Sequence, residues 1–381
     1  MSFRRKPSWQ FSPWMMTNAE ARHLYIHVPF CAHICAYCDF VHAVYQSSLS
    51  DQWLKAIEKE IKASSIPTDL DTVYIGGGTP TALTASQLDQ LLCLLDPYTS
   101  AVKEYTIEIN PETLNNEKAV IIADHGINRA SIGFQSSDPS LLKLMGRKHT
   151  METMKACMEL LHEHGIHNIS LDLLYSLPSQ TMAQLQSSLY DALSLHPTHL
   201  SLYSLTIEEN TVFGKRGYEH LDEDSEADMY EWIVETLKQE GYEQYEVSNF
   251  AKDGNVSLHN IGYWQYDDFI GIGAGASGKE NGSRYDHTRS ITQYIHDPLH
   301  KEMIPLDIED QMFESLMMGV RMKTGMDLSL FEERFHESFT HHYGKILDDM
   351  IRQGHMEIMD GRLRITDRSY EIMNSLLVEF M

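Results

Sequence analysis

Short hydrophobic segments rich in β-branched and aromatic residues alternate with amphipathic segments between about residue 24 and residue 247. Compact apolar runs of this kind predict strands, and apolar residues spaced i, i+3, i+4, i+7 predict helices. We expect seven strands, which are LYIHV, TVYIGGG, YTIEINP, RASIGFQ, NISLDLLYSLP, HLSLYSLTI and YEQYEVSNF. Their alternation with helices indicates parallel strands joined by helical crossovers, so the predicted fold is α/β, a partial or complete (β/α) barrel of the TIM type.

The segment TASQLDQLLCLLD illustrates one predicted crossover helix. Thr84 and Gln87 have the spacing of a capping box, in which each side chain accepts a hydrogen bond from the other residue's backbone N–H. The apolar repeat of this helix consists of Leu88, Leu91, Leu92 and Leu95. We expect Cys93 in this helix, and Cys157 in a helix rich in Leu and Met, to be ordinary core residues.

After about Pro305 the pattern changes to three helical segments, a hairpin that turns at Asp360 and Gly361, and a last helix. This order predicts a small α+β module that resembles a winged helix. From Glu309 to Met381 it carries 14 acidic against 8 basic residues, a net charge of -6. A phosphate backbone repels such a surface, so a lid or packing role is expected rather than DNA binding.

Length and composition limit the remaining choices. A chain of 381 residues, 42% of them hydrophobic, can bury one large core and a smaller one. We predict an N-terminal extension over 1–20, a barrel core over 21–250, a connecting segment over 251–305 and the C-terminal module over 306–381. The net charge of -25 argues against nucleic acid as a partner. Five cysteines, no signal peptide and no membrane span indicate a cytoplasmic protein.

Three of the five cysteines lie within eight residues, in the segment HVPFCAHICAYCDF. A structural zinc site uses four ligands, commonly as two distant pairs, and the chain offers no second pair. Three thiolates on one CxxxCxxC loop can instead ligate three irons of a cubane cluster and leave the fourth iron open to a small ligand. We therefore predict a [4Fe-4S] cluster on Cys31, Cys35 and Cys38.

This loop, with Tyr37 just before its third cysteine, resembles that of the radical S-adenosylmethionine (SAM) superfamily. YIHVPFC, GGGTPT, IEINPE, SIGFQS, GRKHT and LDLLYSLP, in this order, resemble the oxygen-independent coproporphyrinogen III oxidase family over most of the chain. The resemblance implies a barrel of the radical SAM type, in which the open iron binds the amino and carboxylate groups of SAM. The SAM-binding residues that it implies are Tyr25, Tyr37, Gly77, Gly78, Thr79, Glu108, Gln135, Arg147 and Asp172.

Three features separate this chain from the oxidases themselves. The oxidases continue the loop as CxxxCxxCxC, whereas Asp39 and Phe40 follow Cys38 here, and the segment before Tyr25 is shorter than the part of the oxidases that covers their substrate. HNIGYW also fits the HNxxYW pattern of the HemW proteins, which are haem-binding chaperones related to the oxidases. The haem-binding residues that this resemblance implies are His259, Asn260, Tyr263 and Trp264.

An imidazole suits haem iron, and flat aromatic rings suit a porphyrin face. The atom that ligates the iron stays open, because the chain has 20 histidines, among them His341 and His342. The leading hypothesis is therefore a haem chaperone of the HemW type that carries the cluster and SAM, binds haem and transfers it to apoproteins. A homodimer and a transient contact with a membrane surface stay open, as does SAM cleavage during transfer.

The alternative hypothesis is an enzyme, an oxygen-independent coproporphyrinogen III dehydrogenase. It would use the 5′-deoxyadenosyl radical to abstract hydrogens from two propionate side chains, in a pocket that excludes water and oxygen. A third hypothesis, a winged-helix regulator with a redox-sensing cluster, is disfavoured by the acidic C-terminal module.

Overall fold

Six parallel strands in chain order form the centre of a 12-stranded sheet in the computed structural model, which describes residues 21–381. The N-terminal extension predicted for 1–20 lies outside the described residues. Strands β2 and β3 pair only with each other, beside the larger sheet. The first eight strands are β1 (His23–Val28), β2 (Phe30–Cys31), β3 (Ala43–Val44), β4 (Thr72–Gly77), β5 (Glu104–Ile109), β6 (Arg129–Gln135), β7 (Asn168–Tyr175) and β8 (His199–Ser204).

Helices follow these strands, as the alternation predicted. They are α1 (Ser47–Ala63), α2 (Ala85–Thr99), α3 (Asn116–Asp124), α4 (Pro139–Met145), α5 (Met151–Glu163), α6 (Met182–Leu193), α7 (Val212–Lys215) and α8 (Glu223–Gln239). The capping box of Thr84 and Gln87 is confirmed at the start of α2. Cys157 is buried as predicted, but the prediction for Cys93 is wrong because its side chain is exposed. The four leucines of the apolar repeat already form the buried face of α2, and Cys93 lies outside that face.

The seventh predicted strand is wrong as a single parallel strand. A backbone hydrogen bond from Tyr245 N to Asn249 O folds it back on itself, so it becomes two short antiparallel strands. The elements from there to residue 305 are β9 (Glu243–Gln244), β10 (Asn249–Ala251), α9 (Leu258–Trp264), β11 (Phe269–Ile272), β12 (Ser277–Glu280), β13 (Ser283–Asp286), α10 (Ile291–His296) and β14 (Glu302–Pro305).

Strand β11 adds a parallel neighbour to β1, on the side opposite β4. The full order is β14-β13-β12-β11-β1-β4-β5-β6-β7-β8-β10-β9. The two outermost strands do not pair with each other within residues 21–381, so the barrel is a partial one. The segment between the core and the C-terminal module thus contributes four strands to the sheet itself.

The C-terminal module has its own hydrophobic cluster, which includes Leu316, Phe331 and Leu363. Its elements are α11 (Ile308–Gly319), β15 (Met326–Asp327), α12 (Leu328–Phe335), α13 (Phe339–His342), α14 (Gly344–Gln353), β16 (Met356–Met359), β17 (Arg362–Ile365) and α15 (Met373–Leu377). The predicted hairpin is confirmed, and both turn residues have positive φ angles, 53° at Asp360 and 76° at Gly361. The fold class, a partial α/β barrel with a small C-terminal α+β domain, is confirmed. Across residues 21–381, no helix has the length and apolar character that crossing a membrane requires.

Candidate functional site

A cavity of about 670 Å³ opens at the carboxyl ends of the parallel strands. All three cysteines of the loop line it, together with most of the residues predicted to bind SAM. These are Tyr37, Gly77, Gly78, Thr79, Glu108, Gln135, Arg147 and Asp172. Tyr25 does not line the cavity, because its ring packs beside that of Tyr74, with 6.1 Å between centroids, and its hydroxyl bonds to His27 Nδ1 at 3.0 Å.

Backbone hydrogen bonds to two helices anchor the cysteine loop. Ala36 N donates to Met145 O at the end of α4, and Ala36 O accepts from Phe213 N in α7, both at 2.9 Å. Two thiols also meet polar side chains of the cavity wall. The Thr79 hydroxyl donates to Cys31 Sγ at 3.7 Å, and the Arg147 guanidinium donates to Cys35 Sγ at 3.9 Å. The barrel therefore holds the loop over the cavity.

The chemistry of the three thiols fits a multinuclear cluster. Within residues 21–381, Cys31, Cys35 and Cys38 do not bring all three of their sulfurs within 4.8 Å of one another. The three thiols are therefore too widely spaced to share one ion. In a cubane cluster each thiolate binds a different iron, so the three sulfurs need not meet at one ion. Burial raises the pKa of Cys31 to about 11 and of Cys38 to about 12, so both are protonated thiols at neutral pH. Loading a cluster consequently releases protons.

Two half-buried carboxylates, those of Glu108 and Asp172, line the same cavity. Glu108 accepts hydrogen bonds from the Tyr74 hydroxyl at 2.9 Å and from Gly77 N at 3.0 Å. The second bond needs the φ of +106° at Gly77, which a side chain would strain. Burial, and then the charge of Asp172, raises the pKa of Glu108 to about 7. Burial also raises the pKa of Asp172, which accepts from the hydroxyls of Ser131 and Ser170.

Arg147 supplies positive charge beside Cys35 and lines the same cavity as the two carboxylates. Its guanidinium donates to Gly133 O, while its Nε is buried with no hydrogen-bond partner among the described residues. A buried donor without an acceptor is costly unless a ligand fills the place. The cavity thus offers acceptors for an ammonium group and a donor for a carboxylate, the two groups that an amino acid presents.

Sequence reasoning missed several side chains that line the same cavity. They are Tyr74, Arg129, Ser131, Ser201 and Tyr203. Each lies on a predicted strand. Ser201 and Tyr203 are two residues apart on β8, and Arg129, Ser131 and Gly133 follow one another at the same spacing on β6. The period-two alternation of a strand could have identified them, because alternate residues face the barrel interior.

The HNIGYW segment forms α9, and the structure does not bring its four predicted haem residues to one open surface. His259 is 1% exposed, and its Nδ1 and Nε2 bond to the hydroxyls of Thr72 at 2.6 Å and Tyr263 at 2.8 Å. Burial lowers the pKa of His259 well below its usual value, so the imidazole is neutral. Asn260 lines the large cavity, whereas Trp264 faces the C-terminal module under Arg321.

Comparison with known proteins now identifies the family. The model of the Radical SAM superfamily matches residues 25–190, and the model of the HemN C-terminal domain matches residues 306–370. The haem chaperone HemW of Lactococcus lactis is 37% identical over 94% of this chain and 96% of its own. The chain belongs to the HemW family. HemW of Bacillus subtilis is 36% identical over 94% of this chain and 98% of its own. HemW of Escherichia coli is 33% identical over 94% of this chain and 97% of its own.

The fold of this HemW chain is similar to that of Escherichia coli coproporphyrinogen III oxidase (HemN), which is a radical SAM enzyme. The two match with a TM-score of 0.82 and 22% identity, over 95% of this chain and 90% of that chain. Membership of the radical SAM superfamily implies a [4Fe-4S] cluster and SAM. In this HemW chain, Phe40, the second residue after Cys38, is 68% exposed.

Proposed function

We propose that this protein binds haem and transfers it to haem apoproteins, and that the cavity carrying the cluster and SAM is coupled to haem binding through the HNIGYW helix. The family supports haem handling. The observation that carries the coupling is the position of Asn260, which lines the same cavity as Cys31, Cys35 and Cys38.

Cys31, Cys35 and Cys38 would hold the cluster, and Arg147, Glu108 and Asp172 would hold the carboxylate, ammonium and hydroxyl groups of SAM. When bound, the cluster supplies an electron and one iron with an open coordination position. Tyr37, Gly77, Gly78, Thr79 and Gln135 would shape the rest of the site. Tyr25 would act indirectly, since it packs beside Tyr74.

A continuous set of contacts links the haem motif to this site. His259 stacks on Tyr74, with ring centroids 5.1 Å apart, and the Tyr74 hydroxyl donates to Glu108. A shift of His259 therefore moves the ring that positions Glu108. The cavity and the haem motif are thereby joined through one tyrosine.

The C-terminal module would act as a lid on the haem motif. Arg321 lies over the Trp264 ring at 5.7 Å, and Arg334 donates to Gln265 O at 3.1 Å, just after α9. We propose that haem binding displaces the module from Trp264. Because His259 is enclosed by Thr72, Tyr74 and Tyr263, haem binding would also break the hydrogen bond between His259 Nε2 and the Tyr263 hydroxyl. His259, Asn260, Tyr263 and Trp264 would then present a ligand, a polar group and two aromatic faces to the porphyrin.

The test is a haem titration of anaerobically reconstituted protein, followed by incubation of the haem-loaded form with a recipient apoprotein. We expect a saturable Soret shift, weakened in His259→Ala, and loss of haem to the recipient. The matched control is Tyr294→Phe, which removes a buried hydroxyl that bonds to Glu60 on α1. Absence of haem binding by the parent protein would contradict the proposal.

The dehydrogenase alternative is tested on the same preparation with coproporphyrinogen III, SAM and a reductant. The chaperone proposal predicts no protoporphyrinogen. Product formation without haem binding would instead assign the chain to the biosynthetic reaction. A homodimer and contact with a membrane surface stay predictions from the resemblance.

A further inference from the structure

A cluster of metal-ligating side chains lies on the outer helices, apart from the cavity. Asp89, Cys93 and Asp96 are spaced i, i+4 and i+7 on α2, so they share one face of the helix. His125, directly after α3, packs against that face. The ligand atoms of Asp89, Cys93 and His125 all lie within 4.8 Å of one another. Both Asp89 and Cys93 are exposed to solvent or partly so, which leaves an ion a route of entry.

The hydrogen bonds of His125 have the form found around metal-binding imidazoles. Nδ1 lies 2.7 Å from Asp96 Oδ1, and Nε2 lies 3.1 Å from Asp89 Oδ1. When Nδ1–H donates to Asp96, a neutral imidazole directs the Nε2 lone pair at Asp89 and Cys93. A lone pair facing a carboxylate is stable only with a proton or a cation between them. A carboxylate that holds the other nitrogen of a ligating histidine is the usual supporting contact at such sites.

We infer that Asp89, Cys93 and His125 bind one Zn²⁺ ion and that Asp96 orients His125. The donor set of one sulfur, one nitrogen and one oxygen suits zinc, whereas Mg²⁺ and Ca²⁺ prefer oxygen alone. Zinc bond lengths require tetrahedral ligand separations of about 3.3–3.8 Å, which small side-chain rotations on this surface can reach. Three protein ligands leave the fourth position to water. The ion would link α2 to α3, two neighbouring crossover helices on the outside of the barrel.

The first measurement is the alkylation rate of Cys93, followed on its own peptide by mass spectrometry, in anaerobically reconstituted protein with and without added Zn²⁺. Bound zinc removes the free thiolate, so alkylation should slow by about tenfold or more in the parent chain. Asp89→Asn, which keeps Cys93 as the reporter, should lose this protection. Because the readout is confined to one peptide, zinc at Cys31, Cys35 or Cys38 does not affect it.

Zinc stoichiometry after equilibrium dialysis gives the second measurement. The parent chain should retain one more equivalent than Cys93→Ala, and Asp96→Asn should bind that equivalent about 10–100-fold more weakly. An alkylation rate that zinc leaves unchanged, together with equal zinc content in the parent and Cys93→Ala, would overturn the inference. His125 would then be an imidazolium that bridges two carboxylates.

Discussion

The cysteine loop and the HNIGYW helix border one cavity, but they are prepared for their ligands in opposite ways. The loop presents three thiols beside Arg147, whose Nε has no partner among the described residues. The helix buries His259 and engages both of its ring nitrogens. A preformed site lowers the ordering cost of binding, which suits a resident cofactor. A site whose ligand atoms already form hydrogen bonds must break them to bind, which weakens binding and suits a ligand that is later released.

The largest expected effect comes from breaking the preformed side. Cys35→Ser removes one of the three proposed cluster ligands, so we expect loss of nearly all cluster iron and of the brown chromophore after reconstitution. Cys157→Ser, a change at a buried cysteine remote from the loop, is the matched control. Haem titration should still saturate in Cys35→Ser, because HNIGYW lies on a different element, although the proposed coupling should change the haem affinity. Joint loss of the cluster and of haem binding would remove the distinction between the two regions.

Glu108→Gln tests the acidic wall of the same cavity. Losing a charged hydrogen bond to an ammonium group costs about 1.5–3 kcal/mol, so SAM affinity should fall about tenfold or more. Binding of labelled SAM to the reconstituted protein, measured by equilibrium dialysis, is the readout. Glu58→Gln, an exposed partner of Lys62 on α1, is the control.

The pH dependence of this binding sharpens the test. With the pKa of Glu108 raised to about 7, its carboxylate ionises as the pH rises through 7, so SAM affinity should increase from about pH 6 to pH 8. The contribution of Glu108 to the free energy of unfolding changes with pH in the opposite direction. The folded chain keeps a proton that the unfolded chain releases, so this contribution decreases as the pH rises from about 4.5 to 7. A flat SAM affinity in the parent chain would contradict the role of Glu108.

Tyr263→Phe tests the engaged side. The change frees His259 Nε2 from a hydrogen bond worth about 1 kcal/mol, so haem should bind about fivefold more tightly if Nε2 ligates the iron. A Soret titration measures the affinity, and the Soret position reports the ligand. Tyr294→Phe is again the control. Unchanged or weaker binding in Tyr263→Phe would exclude competition between the hydroxyl and the iron.

Arg334→Ala tests the lid and has the smallest expected effect. Besides its bond to Gln265 O, Arg334 forms a partly exposed ion pair with Asp267 at 3.4 Å. Removing such contacts costs about 1 kcal/mol or less, so haem association should accelerate about twofold. Amide hydrogen exchange should also rise in α9, whereas Arg352→Ala, in a pair within α14, should change neither quantity. Equal rates in all three chains would argue against displacement of the module.

Local sequence patterns predicted where helices and turns occur better than they predicted how the side chains pack. The capping box at Thr84 fixed the start of α2, and the turn at Asp360 fixed the hairpin, because each depends on residues that are adjacent in sequence. Leucine spacing predicted α2 but did not place Cys93 outside its buried face. YEQYEVSNF folds back at a turn closed by the hydrogen bond from Tyr245 N to Asn249 O, and its apolar pattern does not indicate this turn.

The motifs placed most of the candidate site, because strand ends meet at one edge of a parallel sheet. Tyr25 shows the limit of that reasoning, since its position on β1 does not reveal that the Tyr74 ring lies beside it. HNIGYW shows another limit. Spacing identified the four residues, but only the packing of α9 between β4 and the C-terminal module shows that His259 is enclosed and Trp264 faces elsewhere.

The pairing of β11 with β1 has a consequence for synthesis of the chain. The strand that precedes the cysteine loop leaves the ribosome early, but one of its edges stays unpaired until Phe269–Ile272 emerges. An unpaired edge strand is prone to wrong association. HNIGYW is translated just before β11, so the native frame around the cysteine loop is complete only after the haem motif has been made. A chain released before this point would contain Cys31, Cys35 and Cys38 and still lack the strand that pairs with β1.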